Sequence, residues 1–159
     1  MDKQADQEFM TLAIDLSAEA LGDNVGGPFG AIVVRRGEVI GRGRNRVLAD
    51  KDPTAHAEIL AIRDACRAVA DHRLAGCVVY TSSEPCPMCM AALYWARVER
   101  VVYANVRREA AAIGFDDEWL YVELASLMDD RSMNMSRLSS EEAKAVFDKW
   151  FARKDRIPY

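Results

Sequence analysis

The chain has 159 residues, of which 50% are hydrophobic and 29% are charged. This length suits one domain, since domains typically run to about 100–200 residues, and the composition excludes a disordered or collagen-like protein. The 21 Lys and Arg residues against 25 Asp and Glu give a net charge of −4, which argues against a general nucleic-acid binder. No apolar stretch reaches the roughly 18 residues of a membrane span, and the N-terminal sequence lacks a basic region followed by an apolar run. We therefore expect a cytoplasmic protein with no secretory signal and no membrane partner.

The first half of the chain predicts a helix, a β-hairpin and a second helix. Apolar residues recur at helical spacing over residues 7–21, and a Gly- and Pro-rich turn follows at 26–30. Two strands separated by a tight Arg-Gly turn are expected at 31–35 and 38–44. A Pro-Thr pair then precedes a helical pattern over 56–69.

The second half alternates predicted strands and helices. The expected elements are a buried strand at 78–81, a helix at 87–95, a strand at 98–106 and a helical region at 107–125 that is broken at Gly114. A last helix is expected to begin at a capping box formed by Ser139 and Glu142 and to end near Arg153. A strand, a crossover helix and a second strand give a parallel pair. The whole pattern predicts a three-layer α/β domain with a mixed sheet.

The four cysteines divide into two pairs. Cys66 and Cys77 lie in apolar stretches and are interpreted as small core residues. Cys86 and Cys89 form a C-x-x-C pair, a spacing shared by metal ligands and redox dithiols. Because the expected compartment is reducing, disulfides are disfavoured for either pair.

His56 and the C-x-x-C pair together predict a zinc site. One imidazole and two thiolates leave a fourth tetrahedral position for water, which marks a catalytic rather than a structural site. Both groups lie where helices are predicted to begin, and helix N-termini favour thiolate. Glu58 would point about 200° away from His56 on a regular helix, so it can act beside the metal only if His56 lies at the very first turn. We predict that Glu58 carries protons and binds no metal, as in the H-x-E…P-C-x-x-C deaminase signature.

The sequence resembles the cytidine deaminase-like superfamily of zinc hydrolases and, within it, the small bacterial guanine deaminases. The resemblance covers nearly the whole chain and rests on GGPFG at 26–30, DPTAHAE at 52–58, YTSSEPCPMC at 80–89, YWAR at 94–97, GFDD at 114–117 and the terminal Tyr159. It implies a three-layer α/β/α domain with a central mixed five-stranded sheet. It also implies zinc-dependent hydrolysis of guanine to xanthine and ammonia.

The resemblance further implies a role for individual residues. The zinc ligands would be His56, Cys86 and Cys89, one ion per subunit, and Glu58 would be the proton shuttle. The substrate would be hydrogen-bonded by Asn45 and the Ala57 backbone and enclosed by the aromatic residues Phe29, Trp95 and Tyr159. Asp117 would be a second catalytic carboxylate near the exocyclic amine. A homodimer is implied in which the C-terminal segment, about 130–159, is swapped between subunits of a single-domain chain.

Three alternatives remain open at this point. A tRNA adenosine deaminase has the same zinc chemistry and would need a basic surface, for which the sequence offers five arginines around the hairpin: Arg35, Arg36, Arg42, Arg44 and Arg46. Guanosine, cytosine, a related aminopurine or the aminotriazine ammeline could replace guanine as substrate. A zinc-stabilised interaction protein without turnover is a third possibility, but such a site has no use for Glu58.

Overall fold

The computed structural model describes residues 3–158, which form two compact units, the first ending at Tyr121 and the second beginning at Val122. The strands are β1 (Gly30–Arg35), β2 (Glu38–Arg44), β3 (Cys77–Ser83) and β4 (Arg100–Asn105). The helices are α1 (Lys3–Gly22), α2 (Val47–Asp50), α3 (Ala57–Val69), α4 (Pro87–Trp95), α5 (Arg107–Ala112), α6 (Glu118–Ala125) and α7 (Glu141–Ala152), and a 3-10 turn spans Met128–Asp130. The described residues include no helix long and apolar enough to cross a membrane.

A mixed sheet with the strand order β2-β1-β3-β4 organises the first unit. β1 pairs antiparallel with both β2 and β3, whereas β3 and β4 are parallel because α4 connects them. The expectation of five strands is wrong: the sheet has four within residues 3–158. The residue patterns predicted four strands, and the fifth was implied by the resemblance alone; after Asn105 the described chain continues in helices, beginning with α5 and α6.

Helices cover both faces of this sheet, as the three-layer prediction requires. On one face Ala31, Val33 and Val79 pack with α3 and with Leu93 of α4. On the other face the alternate strand residues, such as Ile32, pack with α1. Because successive strand residues point to opposite faces, β1 and β3 contribute to both cores and bury nearly every position.

Two glycines bring β2 into direct contact with the backbone of α3. A Cβ atom on Gly43 would overlap the carbonyl oxygen of Ala57, and one on Gly41 would lie 2.5 Å from the carbonyl oxygen of Ala61. Real side chains do not approach this closely. The start of α3, which carries the His-Ala-Glu motif, is therefore located by backbone contact with the sheet.

A polar cluster ties α1 to the sheet. The Asp6 carboxylate accepts hydrogen bonds from the Tyr80 hydroxyl at 2.6 Å and from the Arg100 guanidinium. These two donors lower the pKa of Asp6 to about 2, the larger effect coming from Arg100. The three residues thus connect α1, β3 and β4.

We expect Asp6→Asn to destabilise the protein at neutral pH and much less at pH 2–3. A carboxyl whose pKa is depressed in the folded state contributes stability above its unfolded pKa, near 3.8, and loses it as the pH falls towards about 2. Urea midpoints of both proteins between pH 7 and pH 2 measure the effect. Asp148→Asn, which breaks the exposed Lys144–Asp148 pair, is the control, and a constant Asp6→Asn difference across this range would contradict the explanation.

The second unit, residues 122–158, has no buried residue among those described. Ser140 caps α7, its Oγ accepting the backbone N–H of Ala143 at 3.2 Å. The predicted cap at Ser139 is thus wrong by one residue, because Ser140 is the serine that reaches this N–H. One side of α7 exposes large apolar side chains: Val146, Phe147, Trp150 and Phe151.

Candidate metal and active site

The three predicted metal ligands come together at the starts of two helices. His56 is the N-cap of α3 with extended backbone angles, φ −73° and ψ 155°. Cys86 is the N-cap of α4, Pro87 takes the first helical position, and Cys89 lies in the first turn. The prediction that both groups lie at helix N-termini is therefore confirmed.

The distances between these side chains fit a zinc ion. His56 Nδ1 lies 3.6 Å from Cys86 Sγ and 3.6 Å from Cys89 Sγ, and all three ligand atoms lie within 4.8 Å of one another. Zn–N and Zn–S bonds of about 2.05 and 2.3 Å at a tetrahedral angle place nitrogen and sulfur about 3.6 Å apart. The set supplies three ligands, as catalytic zinc sites do, and not the four of structural sites.

The two thiols of the site differ in acidity. A hydrogen bond from Cys89, followed by the proximity of His56, lowers the pKa of Cys86 to about 4. The pKa of Cys89 is raised because its thiol donates to Cys86 and is buried. The hydrogen bond to Cys86 also raises the pKa of His56. Cys86 is thus a thiolate at neutral pH and already carries the charge that a cation needs.

Glu58 lies beside the ligands without joining them. It occupies the first turn of α3 and is only 6% exposed. Because His56 is an extended N-cap, the 200° separation expected within a regular helix does not apply, and Glu58 lines the same cavity as His56. Burial raises the pKa of the Glu58 carboxyl, and a carboxyl with a raised pKa is suited to accept and return a proton.

A cavity of about 590 Å³ opens over these side chains. Its wall is formed by the Gly-Gly-Pro-Phe turn, by α2 and the loop before α3, by the end of β3 and by the segment before α6. The lining is largely apolar with a few polar groups, which is typical of small-molecule sites. Four of the predicted residues besides the metal ligands line it: Phe29, Asn45, Glu58 and Asp117.

Asn45 contributes to the cavity in a restricted way. Its side chain is buried, and its Oδ1 accepts the backbone N–H groups of Gly27 and Val47, each at 3.2 Å. Two backbone donors on one atom identify that atom as the amide oxygen. What Asn45 can offer to a ligand is therefore the NH₂ group, a donor.

Asp117 and Phe115, one of the two rings in the cavity wall, belong to one stretch of chain. Phe115 contacts Phe29 edge to face, with ring centroids 4.9 Å apart, and both rings line the cavity. Burial raises the pKa of Asp117, two residues further on. Gly114, with φ +94°, ends the α5 region just before them, so the predicted break at this glycine is confirmed.

Of the three remaining predicted substrate contacts, two do not line this cavity and one lies outside the described residues. Trp95, the last residue of α4, is 61% exposed and does not line it. Ala57 is fully buried between two lining residues, and its side chain is not part of the wall. Tyr159 lies outside the described residues, 3–158.

Phe115 and Glu84 are among the lining residues to which sequence reasoning assigned no role. Phe115 lies within the GFDD segment, where its place between Gly114 and Asp117 was the available signal. Glu84 directly precedes the Pro-Cys-Pro-Met-Cys motif. A charged residue next to a buried strand is a weak signal for such a role, because it also fits a solvated strand end.

Comparisons with known proteins agree with this geometry. The family model for the cytidine and deoxycytidylate deaminase zinc-binding region matches residues 3–105. Guanine deaminase of Bacillus subtilis is 41% identical over 93% of this chain and 96% of its own length. A crystal structure of Bacillus subtilis guanine deaminase superposes with a TM-score of 0.93 at 39% identity, covering 96% of this chain and 98% of the other.

A tRNA-specific adenosine deaminase of Aquifex aeolicus is 35% identical over 79% of this chain and 81% of its own length. The matches to the guanine deaminase and to this tRNA-specific adenosine deaminase therefore cover more of this chain than residues 3–105, which the family model matches. The match to that model covers more than half of the chain and includes every predicted zinc ligand. The chain belongs to the cytidine and deoxycytidylate deaminase zinc-binding family.

Proposed function

We propose that this protein is a zinc-dependent hydrolase that converts guanine and water to xanthine and ammonia. The observation that carries the proposal is the juxtaposition of the three-ligand set with buried Glu58 at the floor of a cavity whose wall holds an aromatic pair. The similarity to guanine deaminase over 93% of the chain supports guanine as the substrate.

His56, Cys86 and Cys89 would hold the zinc ion. Bound at such a site, zinc lowers the pKa of water towards about 7 and so makes a nucleophile available at neutral pH. The protein's own contribution is to keep the two thiols and the imidazole at helix N-termini, where a thiolate is favoured.

Glu58 moves the protons of the reaction. Its carboxylate accepts a proton as the water oxygen bonds to C2 of guanine, and returns it to the adjacent ring nitrogen. Glu58 then takes the remaining proton of the added hydroxyl group, and this proton reaches the amino group from Glu58 or by way of Asp117. The C2–N bond breaks as the C2 carbonyl forms, and ammonia leaves. Burial raises the pKa of both carboxyls, which makes each of them a better proton acceptor than an ordinary carboxylate.

The cavity wall recognises a flat, polar base. Phe29 and Phe115 offer aromatic surface, and the NH₂ group of Asn45 can donate to a ring carbonyl or nitrogen. The Ala57 backbone, Trp95 and Tyr159 are further proposed contacts that rest on the resemblance to the guanine deaminases.

We expect Asn45→Asp to raise the KM for guanine by about 10–1,000-fold with a properly folded protein. The carboxylate still accepts the backbone N–H groups of Gly27 and Val47 but no longer donates to the base, and an acceptor facing an acceptor is repulsive. Steady-state kinetics and the unfolding temperature measure the two effects. Asp50→Asn in α2, which breaks only the pair with Arg46, is the control, and a KM unchanged by Asn45→Asp would contradict the assigned role.

A panel assay for ammonia release tests the substrate. Guanine, guanosine, adenine, cytosine and ammeline are compared by kcat/KM, and the tRNA anticodon stem-loop is included. We expect guanine to give the highest value. If another member of the panel releases ammonia and guanine does not, guanine is not the substrate, but the proposed zinc-dependent deamination is retained.

tRNA adenosine deamination is supported less well. Of the hairpin arginines, Arg44 lies 2.6 Å from Asp23 and Arg46 lies 2.7 Å from Asp50, so acidic neighbours neutralise part of the basic surface. The match to the tRNA deaminase also covers less of the chain than the match to guanine deaminase.

A homodimer with exchanged C-terminal segments is part of the proposal. The large apolar side chains of α7 are exposed, and the second unit has no buried residue among those described, so this segment needs another surface to cover it. Four free thiols, two of them proposed ligands, fit a reducing cytoplasm.

Light scattering is expected to give the mass of two chains. Mixing Glu58→Gln and Tyr159→Ala subunits tests the exchange, since each mixed dimer would contain one site with an intact Glu58 and an intact Tyr159 only if the segment is swapped. We expect activity to be recovered on mixing. A dimer without recovery would mean that Tyr159 serves its own subunit.

A further inference from the structure

Arg107 and Glu84 form a tightly bonded pair at the edge of the cavity. The Glu84 Oε1 accepts Arg107 Nε at 3.0 Å and Nη2 at 2.8 Å, while Oε2 accepts the Arg107 backbone N–H at 2.9 Å. The Glu84 side chain is 15% exposed and the Arg107 side chain 35% exposed, so solvent screens this pair less than a surface ion pair. The bonds join the first residue of α5 to the residue that directly follows β3, two positions before Cys86.

A second connection runs through Tyr121. The Arg107 guanidinium lies over the Tyr121 ring, 4.1 Å from its centroid, and the Tyr121 hydroxyl donates to the carbonyl oxygen of Pro85 at 2.8 Å. Tyr121 belongs to α6 and also follows Asp117 by one turn, its N–H bonding to the Asp117 carbonyl at 3.3 Å. Tyr121, the last residue of the segment 107–121, is thereby bonded next to Cys86 as well.

Both ends of residues 107–121 are thus bonded to Glu84 and Pro85. The segment between them contains Phe115 and Asp117, which line the cavity. We propose that Arg107 is a positioning residue: by clamping Glu84 and Tyr121 together, it holds Phe115 and Asp117 in place relative to Cys86. This inference rests on the proposed deaminase function and adds a residue that itself does not line the cavity.

The chemistry of arginine suits this role. A planar guanidinium can bond a carboxylate along one edge and stack its face on an aromatic ring at the same time, and Lys cannot do both. Arg107 makes both contacts. It also compensates the charge of Glu84, which would otherwise leave an unpaired carboxylate in the cavity wall.

Arg107→Met is expected to lower kcat/KM by about 10–100-fold, the size of effect that a small misplacement of reacting groups produces. Arg107→Lys retains the charge but not the stack, and is expected to recover only part of the loss. Arg73→Met is the matched control, because it breaks the Asp71–Arg73 ion pair outside the site; its kinetics should equal those of the unchanged protein. The substrate is whichever member of the panel the unchanged protein deaminates, so a wrong substrate assignment does not affect this test.

A double-mutant cycle separates positioning from a purely structural role. If Arg107 acts through Asp117, adding Arg107→Met to the Asp117→Asn variant should lower kcat/KM by less than about threefold, since the effects of coupled residues are not additive. A double variant whose loss in kcat/KM equals the product of the two single losses would overturn the proposal. So would an Arg107→Met variant with a lower unfolding temperature but unchanged kcat and KM.

Two further measurements keep the proposal falsifiable. If Arg107→Met does not fold, Tyr121→Phe replaces it as the test, because it removes only the bond to the Pro85 carbonyl. We expect Tyr121→Phe to lower kcat, and unchanged kinetics would overturn the proposal. In a Glu58→Gln background, calorimetry should show weaker binding of the panel substrate when Arg107→Met is added, because Phe115 moves. Unchanged binding and unchanged coupling would together assign Arg107 to folding alone.

Discussion

Replacing Glu58 with glutamine is expected to lower kcat by at least about 10³-fold, equivalent to about 4 kcal/mol of barrier. Glutamine has nearly the same size and remains a hydrogen-bonding group, but it cannot take a proton from the attacking water. The Glu58 side chain is buried and lines the cavity, so carboxylates on the protein surface are not in position to replace it. The loss should appear in kcat rather than in KM.

The same variant should retain its metal and its fold. Glu58 is not among the three ligands, so metal analysis should give one zinc per chain, as in the unchanged protein. Removing a buried charge should leave the unfolding temperature equal or higher. Glu38→Gln on the exposed start of β2 is the matched control. Ammonia release by Glu58→Gln within tenfold of the unchanged protein would refute the assignment of Glu58 as proton carrier.

Removing zinc with a chelator is expected to abolish turnover and to lower the unfolding temperature by about 10 °C. The ligands cross-link α3 to α4 across 30 residues of chain, and a cross-link closing a loop of that length is worth roughly 3–4 kcal/mol in chain entropy, which corresponds to about that shift. The two hydrophobic clusters contain no His56 side chain and do not depend on the ion. Far-ultraviolet circular dichroism should therefore show a folded protein below the new transition.

Adding zinc back should restore both properties. Cys89→Ser provides the genetic counterpart: the weaker oxygen ligand should reduce the zinc content, and added zinc should restore activity only partly. Cys77→Ser, at a buried cysteine outside the site, controls for the loss of a core thiol and should keep its zinc. Full turnover by the chelated protein, with zinc well below one per chain, would refute a catalytic metal.

The chemistry of the site was more predictable than its wall. His56, Glu58, Cys86 and Cys89 belong to short motifs whose spacing is set by local helix geometry, so their proximity could be inferred once both helix starts were recognised. The hairpin and the β3-α4-β4 crossover were predictable for the same reason, because each has a local signature in turns or periodicity.

Features that depend on distant contacts were not predictable in this way. The side-chain oxygen of Asn45 accepts the backbone N–H of Gly27, 18 residues earlier in the chain, a contact that no motif indicates. The fifth strand was implied by the resemblance alone, since the residue patterns predicted four strands and a helical region over 107–125. The structure has α5 and α6 in that region, with the start of α5 bonded to Glu84 and Tyr121 of α6 bonded to Pro85. Trp95 has an aromatic side chain suited to stacking, but the end of α4 leaves it exposed.

The close approach of β2 and α3 has a consequence for how this protein tolerates mutation. The position of the His-Ala-Glu turn depends on Gly43 meeting the Ala57 carbonyl, a contact between two backbones with no adjustable side chain between them. Exchanges of one apolar residue for another away from this contact should therefore disturb His56 and Glu58 less than substitutions at the two glycines. Sequence drift should be wide in the core and narrow at the two β2 glycines, so a library randomised at Gly41 and Gly43 should yield almost no active variants.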